Sequence, residues 1–98
     1  MSFHFSEIEI VPVKPNNGLV GFASFVLNNS LFLGSIGIYT RLDGGYRLTY
    51  PTKKVSSNNI SIFHPINKEM GQEIEEIVCK KFEEVMKQHD RHDSSRAL

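Results

Sequence analysis

Apolar and polar positions alternate with a period of two from Phe5 to Val13, and apolar residues recur every three or four residues in the last third of the chain. The first period marks strands and the second an amphipathic helix. Phe5 to Val13 reads as a first strand with Ile8 and Ile10 on one face, and Pro12 suits its end or a sheet edge because proline cannot donate to a ladder. Pro15-Asn16-Asn17-Gly18 is a turn, Leu19 to Leu27 a second strand, and Asn28-Asn29 a two-residue hairpin loop. Leu31 to Thr40 is a third strand, with Gly34 and Gly37 marking a bulge or a close backbone approach. Asp43-Gly44-Gly45 turns the chain into a fourth strand, Tyr46 to Tyr50. Ser56 to Asn59 reads as a polar loop tip and Ile60 to Phe63 as a short fifth strand, ended by His64-Pro65. Asn67 is a helix cap, Glu69 complements the helix dipole, and Met70, Ile74, Ile77, Val78, Phe82 and Val85 form one stripe of a helix from Lys68 to about Gln88. The class is α+β: an antiparallel β-meander of four to five strands with one C-terminal amphipathic helix packed on one face. Residues 1–88 form a single domain, and 89–98 are a polar, frayed tail.

The middle strands are apolar on both faces. Phe22 and Val26 oppose Ala23, Phe25 and Leu27 on the second, and Phe32, Ile36 and Ile38 oppose Leu31, Leu33 and Tyr39 on the third. One helix covers one face only, so the pattern predicts a homodimer that buries the second face, extends the sheet edge, or both. The alternative is a curled sheet that closes on itself.

Composition narrows the function classes. Lys plus Arg and Asp plus Glu are eleven each in 98 residues, so no global field draws the chain to nucleic acid or membrane, and any such binding needs a local patch. Cys79 is the only cysteine, which excludes an internal disulfide and fits a reducing, cytoplasmic setting. The start carries no signal-peptide pattern, and no segment is apolar for long enough to span a bilayer. No nucleophile elbow, phosphate loop, dinucleotide fingerprint or paired zinc-finger spacing is present, so neither an enzyme, a cofactor nor a metal is expected.

His64-Pro65-Ile66-Asn67-Lys68-Glu69-Met70, together with Pro51-Thr52-Lys53-Lys54, Pro12-Val13 and the apolar hairpin from Ala23 to Tyr39, resembles the stage V sporulation protein G (SpoVG) family of bacterial septation regulators over residues 6–86. The resemblance implies a small dimeric sheet-plus-helix protein that binds DNA, and in some members RNA, and regulates septation, sporulation and gene expression without enzyme activity or cofactor. Several basic positions of the family pattern differ here: Val11, Gly37 and Gly71 stand where it has basic residues, and Val55 to Asn59 replace a T-P-D-G turn. A protein-interaction module of the same fold, with its nucleic-acid affinity lost, is therefore the alternative.

Lys53 and Lys54 are the residues chosen for phosphate contact, with Arg41 and Arg47 beside the third hairpin turn in support. Their bland reading is ordinary solvation at a sheet end. His64 is read as satisfying backbone groups at the strand–helix junction. Cys79 is read as an inert thiol despite Lys80 and Lys81 beside it, and His89 and His92 as tail residues, not metal ligands. The glutamates and lysines from Glu73 to Lys87 read as a solvated helix face.

Overall fold

The computed structural model describes residues 3–97, with side chains described as far as Gln88. Strands β1 (Phe5–Asn16), β2 (Leu19–Leu27), β3 (Leu31–Thr40) and β4 (Tyr46–Thr49) form one antiparallel sheet in the order of the chain. β5 (Thr52–Val55) and β6 (Asn58–Ser61) form a separate two-stranded antiparallel ribbon, and helix α1 spans Lys68–Ala97. The α+β meander with one C-terminal helix is thus as the pattern predicts. Its helical backbone runs to Ala97, beyond the Gln88 at which the sequence pattern ends the helix.

Local chemistry explains the turns. Asn17 and Gly18 take positive φ (52° and 92°) between the paired residues Asn16 and Leu19, the backbone that a tight hairpin demands. Asn28 and Asn29 also sit at positive φ, and Ser30 joins them in a three-residue loop closed by Ser30 N–H donating to the Leu27 carbonyl at 3.0 Å. Asn28 ties this loop to the chain start, its side-chain oxygen accepting from His4 N–H at 2.9 Å. Asn67 caps α1 by accepting from Met70 N–H at 2.8 Å.

The core lies between α1 and one sheet face. Ala23, Phe25, Ile36 and Ile38 from the sheet meet Ile74, Val78 and Phe82 from the helix, all of them buried. Phe82 stands edge-on to Tyr46 at 5.0 Å, and Phe25 to Phe5 at 5.4 Å. Close approach explains two glycines. A Cβ at Gly21 would stand 3.3 Å from the Phe82 ring, and one at Gly37 would stand 2.5 Å from Thr49 Oγ1, so side chains there would push off the helix and β4 respectively.

One facial assignment is corrected. Strict alternation places Phe32 with Ile36 and Ile38. Instead, β3 bulges at Gly34-Ser35, where Ser35 has φ 61° and the register with β2 slips between the Ala23 and Phe25 pairings. The slip turns Leu33 to the core and Phe32 outward, where it is 71% exposed. With Val11 and Phe22 it leaves the face opposite the helix partly apolar and open to solvent.

The basic stretch is also differently organised. The fourth strand stops at Thr49, because Pro51 has no N–H with which to extend a ladder. The residues after it pair locally as the ribbon, so Lys53 and Lys54 lie within a strand, and the loop at its tip contracts to Ser56-Ser57.

Candidate nucleic-acid interface

The ribbon projects from a braced base. Ile62 N–H donates to the Pro51 carbonyl at 3.0 Å, the Tyr50 and Phe63 rings meet edge-on at 6.0 Å, and Ser61 Oγ bonds His64 Nδ1 at 2.7 Å. His64 therefore closes the ribbon through a side-chain hydroxyl, not through the backbone groups the sequence reading gave it. Beyond this base every residue of β5 and β6 is exposed.

Successive strand residues point to opposite sides, and directly paired residues share a side. The pairs Lys53–Ile60 and Val55–Asn58 therefore occupy one face of the ribbon, and Lys54–Asn59 and Thr52–Ser61 the other. The two lysines diverge. Lys54 sits among small polar groups, whereas Lys53 shares its face with Val55 and Ile60, which are 45% and 52% exposed.

Arg47 and Arg41 are placed apart from the ribbon and from each other. Arg47 projects from β4 on the face opposite the core, its guanidinium carbon 5.0 Å from the centre of the Tyr39 ring. Arg41 lies in the turn at the other end of β4, where its N–H donates to the Gly45 carbonyl at 3.1 Å. Its charge acts on Cys79 of α1, which sets it on the helix side. The structure thus joins Lys53 and Lys54 in one element and leaves Arg41 outside the patch.

The charge along the chain is segregated, a signal that the balanced totals conceal. Residues 44–68 hold Arg47, Lys53, Lys54 and Lys68 and no acidic residue, while residues 69–98 hold eight of the eleven acidic side chains against five of the eleven basic ones. Lys68, the first residue of α1, is exposed, and it is the basic residue that motif matching passed over. A ribbon-centred positive region beside an acidic helix gives a neutral molecule a directional field.

Cys79 is pushed up from its ordinary value, first by burial and then by the charges of Glu75 and Glu83, with Arg41 partly opposing. Its surroundings thus disfavour the thiolate. Tyr50, at the ribbon base, is pushed up to about 12 by burial and by the Glu75 carboxylate. Among the described residues no three His, Cys, Asp or Glu side chains gather as a metal site would require, and the His89 and His92 side chains lie outside them. No helix among the described residues is long and apolar enough to cross a membrane.

A four-stranded meander backed by one helix, with a two-stranded ribbon between them in the chain, defines a small α+β protein. A family model described as SpoVG matches residues 3–84, and the chain belongs to the SpoVG family. Membership carries a role connected with sporulation or septation. No curated protein matches the chain significantly.

Proposed function

We propose that the chain is a homodimeric, cytoplasmic regulator of septation or sporulation that binds DNA or RNA mainly through phosphate contacts. It acts by stoichiometric binding without turnover. The observation that carries this reading is the acid-free stretch 44–68, whose Lys53 and Lys54 are held out on an exposed ribbon. Phosphate contacts position a nucleic acid without reading its sequence, so selectivity is modest. The open edge of β3 and the exposed Leu31, Ile60, Ile62 and Ile66 support self-association.

A second reading, a protein-interaction module of the same fold, is supported by the apolar side of the ribbon. Fluorescence anisotropy with labelled duplex DNA, single-stranded DNA and RNA separates the two. Wild type is expected to bind at least one of these at low salt, and Lys53→Ala/Lys54→Ala to bind it about tenfold or more weakly. A folded wild-type protein that binds none of the three at low salt would leave the second reading standing alone.

A further inference from the structure

We infer that the ribbon of one copy adds as a strand to the open edge of β3 in a second copy, with Ile60 and Ile62 seated in the groove beside that edge. The inference rests on the homodimer reading above and names the segments that make it. β4 pairs only with Gly37–Thr40, which leaves Leu31–Ile36 without a backbone partner on that side. The bulge at Ser35 restricts the regular part of this open edge to Leu31–Gly34, four residues, the length of β6.

Of the other exposed edges, that of β4 is only four residues long and that of β1 is protected against such pairing. β1 carries Pro12 and Pro15 and is irregular after Ser6 and again after Pro12. The β3 edge has no proline. It borders an apolar groove of about 270 Å³ walled by Leu31, Leu33, Phe63, Pro65, Ile66 and Met70. An added strand hydrogen-bonds through its backbone and sends alternate side chains into such a groove.

The chain carries the strand that fits. An isolated two-stranded ribbon is marginal in water and gains from a partner. Ile60 on β6 and Ile62 just past its end are two residues apart, the spacing that puts side chains on one side of an extended chain, and are 52% and 60% exposed. Five of the nine exposed large hydrophobics among the described residues, Leu31, Val55, Ile60, Ile62 and Ile66, lie either on or next to the ribbon or on the groove, so one reciprocal exchange covers both sets. A stable dimer buries about 800 Å² per protomer, so ribbon and groove need supply about 400 Å² each. The added strand lies in line with β4 of its host. Lys54 then shares the outer sheet face with the partner's Arg47, and the phosphate-binding surface is composite, while the Lys53 stem lies along apolar surface with its ammonium in water.

Sedimentation equilibrium at micromolar concentration and pairwise cysteine cross-linking test this. Wild type is expected to be a dimer, and Ile60→Asp/Ile62→Asp to raise its dissociation constant a hundredfold or more. Phe22→Asp, on the outer face, is expected to change it less than threefold. In a Cys79→Ser background, mixing an Ile60→Cys chain with a differently tagged Leu31→Cys chain is expected to give a disulfide-linked pair of the two. A wild-type dimer that keeps its affinity in the ribbon variant, or fails to form the mixed disulfide, overturns the strand exchange and leaves the homodimer intact. A monomeric wild type at these concentrations overturns both.

Discussion

Gly71, in the first turns of α1, is an opportunity for stabilisation that the packing leaves open. Glycine in a helix interior costs about 1 kcal/mol relative to alanine. A Cβ there would meet only Pro65, at 3.7 Å, ordinary contact distance. Gly71→Ala is therefore expected to stabilise the protein by about 0.5–1 kcal/mol, raising Tm by about 2–8 °C in a thermal melt. Tyr50 makes the opposite kind of statement. Its proton is held to about pH 12 in the folded chain, whereas the unfolded chain releases it near the ordinary value of 10.0. The folded state thus binds more protons between these limits, and the Tyr50 contribution is present in full below about pH 10 and declines as pH rises towards 12. Urea midpoints of wild type and Tyr50→Phe should shift in favour of the variant between about pH 9.5 and 11. A constant difference across that range would contradict the raised Tyr50 pKa, and with it burial as its leading cause.

At the scale of elements, Asn67 sets where α1 begins. Asn67→Ala removes the acceptor for Met70 N–H and should cost about 1 kcal/mol in urea unfolding, with the helix otherwise retained. This cap, the turn asparagines and the apolar helix stripe were all legible in the sequence because each rests on local chemistry. The outward turn of Phe32 was not: Gly34 marked a bulge or a close approach, but only the pairing with β2 decides which side chains the bulge turns over. The ribbon was half legible. Lys53 and Lys54 stood out as a pair, but a stretch of small polar residues reads as a loop whether or not it pairs with itself. That pairing decides the geometry, since it sends the two lysines to opposite faces. Arg41 and Arg47 flank one turn in sequence, yet one faces the helix side and the other stacks on Tyr39.

For the whole molecule, the neutral total hides a basic middle and a net-acidic last third, and the proposed nucleic-acid binding would rest on the first against the second. Such binding is a surface electrostatic effect and weakens with salt in proportion to the phosphates neutralised. The most direct test of the central claim is the slope of log Kobs against log salt for duplex DNA, measured for wild type and for Lys53→Ala/Lys54→Ala. If each lysine holds one phosphate, the variant should lose about 1.8 from the slope for each ribbon engaged, or about 3.6 for a dimer that uses both. A slope that is the same in the two proteins would contradict the account and place the contacts away from the ribbon.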